Sequence, residues 1–366
     1  MSGDGIKPVN RNQRLSRISL REFRCFETLE YGPGPRLSFL TGPNARGKTS
    51  LLEAACVLLR LRSPRTSETR EMVRFGGEAF ALEGMLGETR LSLAYTPPSR
   101  VLKIDGVVQS KPSDYLDQGR IVWFGSDDLL LVNGPAERRR KLLDSAGLQL
   151  AGDGMQDALS YARDLKNYER AIRSRNMLLR EGKPRSQIEA YDIPLSEAGD
   201  QLLSARKALV AALAPLAADA CRGISGEALE LSYQPGSSWP MREALMASRS
   251  EEIRLRQTRV GPQRDDVGLL LNGIRAGSFA SEGQRRTVAL ALKLGMAALL
   301  AEVNKTPPLL LMDDIFGELD PGRRNALLAG MPAESQAILT TADLGGITLP
   351  SDSVVHRFTD RGLEHV

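Results

Sequence analysis

Three short segments, far apart in the chain, carry residue types that together could bind and split a nucleoside triphosphate. Gly42-Pro43-Asn44-Ala45-Arg46-Gly47-Lys48-Thr49 is a complete G-x-x-x-x-G-K-[ST] phosphate loop, followed by Ser50. In such a loop the glycines let successive backbone N–H groups face phosphate oxygens. Lys48 brings a charge to the β- and γ-phosphates, and the Thr49 hydroxyl is placed to ligate Mg²⁺. Leu309-Leu310-Leu311-Met312 runs into Asp313-Asp314, then into Gly317-Glu318-Leu319-Asp320. Asp313 would hold Mg²⁺ and Asp314 would polarise the attacking water as general base, together with Lys48 and Ser281 as catalytic groups. A strand ending at a helix cap is the alternative reading of the two aspartates. Ser281-Glu282-Gly283-Gln284 precedes a long apolar-patterned segment and offers Ser281, Gly283 and Gln284 as further phosphate binders, or simply as a helix start.

These residues need particular elements to hold them. Leu37 to Leu40 reads as a strand aimed into the phosphate loop, and Ser50 to Leu59 as a helix leaving it. Leu309 to Met312 reads as a core strand, and Gln284 to Glu302 as a helix. More than two thirds of the chain separates Lys48 from Asp313, so a large insertion divides the site. Leu165, Tyr168, Ile172, Arg175 and Leu179 keep a heptad rhythm. So do Leu195, Ala198, Leu202, Ala205, Leu209, Ala212 and Leu216, beyond a polar break at 181–186, which predicts an antiparallel helical hairpin. Asp105-Gly106 and Asn272-Gly273, each between apolar runs, predict tight β-hairpins, with further strands at 80–82 and 91–95.

The segment Phe279 to Arg286 resembles the signature loop of ABC-type ATPases, and the resemblance implies an α/β fold: an ABC-type ATPase head, with a mixed α/β core plus an antiparallel β layer, and an inserted α-helical arm. The expected divisions are a loose tail at 1–14, the first half of the head at 15–125, the arm at 126–225 and the second half of the head at 226–366.

A chain of 366 residues with net charge +4 is only mildly basic, so nucleic-acid binding has to rest on patches. Candidates are Arg138-Arg139-Arg140, with Lys141; Arg170 with Arg173 and Arg175; Arg254 with Arg256 and Arg259; and Arg285-Arg286. Each could equally be a solvated face. With aromatics at 5%, base-stacking platforms are sparse, and backbone contact to duplex DNA is expected to dominate. Cys25, Cys56 and Cys221 read as reduced core thiols of a cytosolic protein, and the two histidines lie at no zinc-ligand spacing from them. No apolar run reads as long enough to cross a membrane.

The motifs in order resemble the RecF family of bacterial recombination-repair ATPases. The likeness begins at Ile18-Ser19-Leu20-Arg21-Glu22-Phe23-Arg24-Cys25-Phe26, an expected opening strand. It passes through the phosphate loop, Leu51-Leu52-Glu53-Ala54 and Ser63-Pro64-Arg65-Thr66. It continues through 134–144, Arg175-Asn176 and Gly261-Pro262-Gln263-Arg264-Asp265-Asp266 to the Ser281 and Asp313 segments. Departures are Gln263 for a usual His, Glu282 for a usual Gln, and no assignable glutamine linking the subdomains. The resemblance implies a cytoplasmic, nucleoid-associated ATPase that uses ATP and Mg²⁺, with slow, DNA-stimulated hydrolysis. It implies a homodimer formed on ATP binding, in which the Ser281 loop of one subunit closes on the phosphates held by the other. The implied partners are double-stranded and gapped DNA and a RecR-like recombination mediator, with no membrane. Alternatives are an ATP-gated DNA clamp with negligible turnover, or the ATPase subunit of an unrelated ABC-type assembly.

Overall fold

The computed structural model describes residues 14–150, 157–316, 319–332, 334–345, 348–359 and 362–365. Residues 1–13 of the expected tail, and Gly317 and Glu318, lie outside the described residues. In chain order the elements begin β1 (Leu15–Phe23), β2 (Phe26–Tyr31), β3 (Leu37–Thr41), α1 (Lys48–Arg60), β4 (Phe80–Leu86) and β5 (Thr89–Thr96). Next come β6 (Ser99–Ile104), β7 (Val107–Val108), α2 (Pro112–Leu116), β8 (Ile121–Phe124), α3 (Leu130–Asn133) and α4 (Ala136–Gly147). The middle of the chain gives α5 (Ala158–Arg180), α6 (Arg185–Glu189), α7 (Asp192–Ser225), β9 (Leu229–Gln234) and α8 (Met241–Leu255). Then follow β10 (Asp266–Leu271), β11 (Ile274–Arg275), α9 (Ala276–Phe279), α10 (Glu282–Asn304) and β12 (Leu309–Met312). The chain closes with α11 (Pro321–Ala329), β13 (Ala337–Thr340), β14 (Ser353–Thr359) and β15 (Gly362–His365). They form two compact units, one of residues 1–126 with 300–366, the other of 127–299.

The first unit holds two sheets. One is antiparallel, in the order β2-β1-β4-β5-β6-β7. The other runs β15-β14-β3-β13-β12-β8, with β14, β3, β13, β12 and β8 all parallel. Its central strands β3, β12 and β13 are buried at every position, as parallel strands covered on both faces must be. Leu40, Leu51, Leu52, Leu58, Phe80, Leu82 and Leu309 share one core that joins α1 to both sheets. The stretch expected as one opening strand turns at Arg24 and Cys25, with Arg24 at φ 54°, and pairs back on itself as β1 and β2. The Asp105-Gly106 turn has positive φ at both residues and joins β6 to β7, as its composition demands.

The second unit contains the helical hairpin and a three-stranded sheet, β11-β10-β9. Tyr161, Tyr168, Ala171, Leu195, Ala198 and Leu202 of α5 and α7 share a core with Met241 and Leu245 of α8. Arg175, at a heptad seam position, is wholly buried. It donates to Glu252 at 2.7 Å, Thr258 at 2.8 Å and Asp192 at 3.1 Å. It therefore belongs to the helix seam and not to a solvent-facing basic patch. A buried arginine is tolerated there because carboxylates and a hydroxyl satisfy its donors.

Two further expectations need correction. Cys56 and Cys221 are buried, but Cys25, at the β1–β2 turn, is exposed. The helical stretches Arg185–Ser225 and Glu282–Asn304 are long and apolar enough, by length and composition, to cross a bilayer. Their few charges interrupt a continuous apolar run, yet the mean hydropathy of the best window stays at 1.4 and 1.5. In the second, 67% of the most apolar window is buried inside the protein, as for a core helix.

Candidate nucleotide-binding and hydrolysis site

β3 delivers the chain into the phosphate loop. Gly42 sits at φ 124°, and a Cβ there would stand 2.6 Å from the Phe358 carbonyl oxygen on β14, so only glycine fits. Gly47, at φ 96°, opens α1, and a Cβ would meet the Phe26 ring at 2.4 Å and the Cys25 sulfur at 2.9 Å. Between them Pro43, Asn44, Ala45 and Arg46 face solvent, while Lys48 and Ser50 lie inside. Lys48 Nζ donates to the carbonyls of Gly42 at 2.5 Å and Pro43 at 2.9 Å, which holds the ammonium within the loop. Burial lowers its pKa, and Asp314 and then Asp313 oppose that shift. A loop of backbone donors, one ammonium and the N-terminus of a long helix is an anion site.

β12 brings Asp313 against this loop. Thr49 Oγ1 donates to Asp313 Oδ1 at 2.7 Å, joining the two segments that sequence placed so far apart. The same oxygen accepts from Thr340 Oγ1 at 2.9 Å, and Thr340 in turn accepts the Asp314 N–H at 2.8 Å. Burial raises the Asp313 pKa, the Thr49 and Thr340 hydrogen bonds lower it, and neighbouring Asp314 raises it again. Asp314 is exposed and lies at φ 52°, in the left-handed region, where aspartate is far better tolerated than most side chains. Among the described residues neither aspartate is seen to cap a helix; the capping carboxylate of this stretch is Asp320, which accepts the Arg323 N–H at 2.9 Å to start α11.

Behind the loop, Glu53 on α1 is fully buried. Arg24 grips it with two bonds of 2.6 and 2.9 Å, and Ser63 and Arg65 add bonds of 2.5 and 3.3 Å. The opening turn, α1 and the Ser63-Pro64-Arg65 segment are thereby tied together beside the phosphate loop. Sequence reasoning missed this network and also missed Thr340. Its only signal was a hydroxyl residue ending an apolar strand, one strand after the two aspartates.

Ser281, Gly283 and Gln284 belong to the second unit. Ser281 and Gln284 form a reciprocal capping box: the Ser281 N–H donates to Gln284 Oε1 at 2.8 Å, and the Gln284 N–H to Ser281 Oγ at 3.3 Å. Gln284 Nε2 reaches Glu227 at 2.6 Å, just past the end of α7. Phe279, the last residue of α9, is 75% exposed. Glu282 pairs with Arg286 at 2.6 Å, which holds its carboxyl below the usual range and neutralises much of its charge locally.

Of the three arginines expected to meet DNA, Arg139 chelates Asp266 with bonds of 2.6 and 3.0 Å, and Arg140 donates to the Asp265 carbonyl at 2.7 Å. Arg138 alone reaches out, 3.9 Å from Asp127. Asp265 itself is fully buried and receives Arg206 at 2.9 Å and Tyr233 at 2.7 Å. Gln263 accepts from the Tyr168 hydroxyl and donates to the Val260 carbonyl at 2.9 Å, so the residue in place of the family's histidine serves the packing of α5.

A phosphate loop on a parallel sheet, faced by a two-aspartate strand and interrupted by a helical arm with its own helix-start loop, defines an ATPase head of the ABC type. Curated proteins named DNA replication and repair protein RecF align along nearly the whole chain. That of Synechococcus sp. (strain JA-2-3B'a(2-13)) is 37% identical, covering 90% of this chain and 92% of the relative. Those of Anaeromyxobacter sp. (strain Fw109-5) and Moorella thermoacetica are 38% and 35% identical, at similar coverage. The chain belongs to the RecF family of DNA replication and repair proteins. The solved structure of the recombination mediator protein RecF-ATPrS in the RecFOR pathway matches with a TM-score of 0.86 at 26% identity, over 98% of this chain and 100% of that one. An Smc head bound to the C-winged helix domain of ScpA shares the fold, with a TM-score of 0.56 at 14% identity over 96% of each chain. A family model described as an AAA domain matches residues 17–93.

Proposed function

We propose that this protein is an ATP-driven DNA-binding factor of recombinational repair. It dimerises on ATP, engages duplex or gapped DNA and, with a RecR-like mediator, helps to load the recombinase, acting in the cytoplasm on the nucleoid. The observation that carries this reading is the Thr49–Asp313 bond, which makes one site of the phosphate loop and the two-aspartate strand. Lys48 and the loop N–H groups hold the β- and γ-phosphates. Thr49 and Asp313 supply hard oxygen donors suited to Mg²⁺, and the desolvated carboxylate of Asp313 favours a cation beside it. Mg²⁺, when bound, neutralises charge on the phosphates. Asp314 takes a proton from water as the water oxygen attacks the γ-phosphorus; the bond to the bridging oxygen breaks and ADP leaves. Ser281, Gly283 and Gln284 close on the γ-phosphate held by the partner subunit, an isologous pairing that completes two sites at once.

Sedimentation of the full chain with and without ATP and a gapped duplex tests the assembly. ATP should shift the monomer to a dimer, and gapped DNA should sediment with it; a monomer under all conditions contradicts the reading. Ser281→Arg should bind ATP yet fail to dimerise. ATP-driven dimerisation of that variant at the parent level removes the trans role of Ser281.

A second reading, an ATP-gated clamp with negligible turnover, is favoured by one feature. The short carboxylate of Asp314, on a left-handed backbone, has little reach with which to position water. Steady-state hydrolysis with and without duplex separates the two: turnover that rises with DNA supports the ATPase, and turnover absent in both supports the clamp.

A further inference from the structure

One face of α5 is unlike any other surface of the helical hairpin. Arg163, Lys166, Arg170, Arg173 and Arg180 are all exposed, and they follow one another by three or four residues, with exposed Met177 filling the single gap. At 3.6 residues per turn these positions form one stripe, about 26 Å long. Tyr161, Asp164, Tyr168, Ala171, Arg175 and Leu179 occupy the buried face of the same helix. Arg163 pairs with Asp164 at 3.0 Å. Lys166, Arg170, Arg173 and Arg180 make no hydrogen bond or ion pair among the described residues. Glu169 is the exposed acid at the margin of the stripe. The antiparallel neighbour α7 offers a contrast: its exposed charges are Glu197, Lys207, Asp219 and Arg222, two of each sign, and the last two pair at 2.9 Å.

Like charges three and four residues apart destabilise a helix. Lys166, Arg170 and Arg173 stand three or four residues apart and repel one another, with Arg180 continuing the stripe in the last turn, whereas a polyanion laid along them relieves the repulsion and releases its own counterions. The candidate run at Arg138–Arg140 cannot do this, because Arg139 and Arg140 are engaged internally. We propose that the α5 stripe is a docking surface for the sugar–phosphate backbone of duplex DNA. This rests on the reading of the chain as a DNA-binding factor, and it names the surface. The contacts carry no base readout, so the stripe contributes affinity and not sequence preference.

The test is binding of the full chain to a fluorescent duplex of arbitrary sequence across a salt series, for the parent and for a variant with Lys166→Gln, Arg170→Gln, Arg173→Gln and Arg180→Gln. Glutamine matches lysine and arginine in helix propensity, and all four sites are exposed, so the variant should keep the parent circular dichroism and Tm. Loss of four phosphate contacts should weaken binding equally on unrelated sequences and make the slope of log K against log salt shallower by about 3.6. Arg170→Lys, Arg173→Lys and Arg180→Lys together should keep the parent slope, as should Lys207→Gln with Arg222→Gln on α7. A parent-like slope in the four-glutamine variant overturns the stripe while leaving DNA binding itself intact. A parent chain that binds no duplex overturns the functional reading and the stripe with it. If the parent instead binds phosphatidylglycerol vesicles and not duplex, and loses this with the four glutamines, the stripe serves a lipid surface and the proposal is wrong.

Discussion

Thr340 donates its hydroxyl to Asp313 Oδ1 at 2.9 Å, and through the same oxygen it accepts the Asp314 N–H at 2.8 Å. One buried side chain on β13 thus aims one aspartate at Thr49 and fixes the backbone of the other in its left-handed conformation.

Thr340→Val keeps the shape of the side chain and removes both bonds. Outer-shell partners of this kind typically contribute about 10–100-fold to activity. The variant should therefore bind ATP much as the parent does while hydrolysing it about 10–100-fold more slowly, and Thr340→Ser should recover most of the loss. Parent-level turnover in Thr340→Val, with Asp314→Asn inactive, would show that the hydroxyl is dispensable.

Lys48→Ala and Asp314→Asn should fail in different ways. Removing the loop cation should weaken ATP binding by about 10- to 150-fold, the equivalent of a charge-assisted bond worth roughly 1.5–3 kcal/mol. Asp314→Asn should retain ATP and lose turnover by about 10²–10⁴-fold. Titration with a fluorescent ATP analogue beside a phosphate-release assay distinguishes them, and near-parent affinity in Lys48→Ala rules out the loop assignment.

Asp313 carries a signed pH effect. Its native pKa is raised, chiefly by burial, so above the ordinary carboxylate pKa the folded state holds more of this proton than the unfolded chain. Stability is consequently lost as pH rises through that window and stays lower above it. Asp313→Asn mimics the protonated form and keeps an oxygen for Thr49 and Thr340. Free of nucleotide and with a chelator present, it should unfold at a higher temperature than the parent at pH 8, the gap closing as pH falls to about 4. A variant less stable than the parent at pH 8 contradicts this account.

Cys25 is the exposed thiol of the chain, and its sulfur lies against Gly47. N-ethylmaleimide should modify Cys25 ahead of the buried Cys56 and Cys221, and the adduct should lower ATP affinity by crowding the loop. Prior binding of ATP should slow the labelling, and Cys25→Ser should abolish the sensitivity. Labelling at equal rates with and without ATP would place the thiol too far from the nucleotide to matter.

The phosphate loop, the two-aspartate strand and the helical hairpin were legible because each has a local signature: a Gly-rich loop between strand and helix, an aliphatic run ending in acids, heptads broken by a polar turn. What was illegible depends on pairing across the chain. Thr340 becomes informative only once β13 is known to lie between β3 and β12, and Arg24 only once Glu53 is known to be buried opposite it. Charge runs misled for a related reason. Arg139, Arg140 and Arg175 look like surface cations in sequence, but each has a buried or partly buried acceptor supplied from a distant segment. The basic stripe on α5 was half seen, as Arg170 and Arg173, because the burial of Arg175 was needed to tell which face they share.

The strand order of the parallel sheet also sets a timetable for synthesis. β3, with its phosphate loop, pairs on either side with β13 and β14, and the strand bearing Asp313 lies one place further along. At ribosomal rates of about 5–20 residues per second, the loop is made roughly 15–60 s before the strands that flank it. Throughout that interval Thr49 has no aspartate and Gly42 no neighbouring strand, so a nascent chain, or one cut short by a premature stop codon, carries the phosphate-binding sequence without a working site.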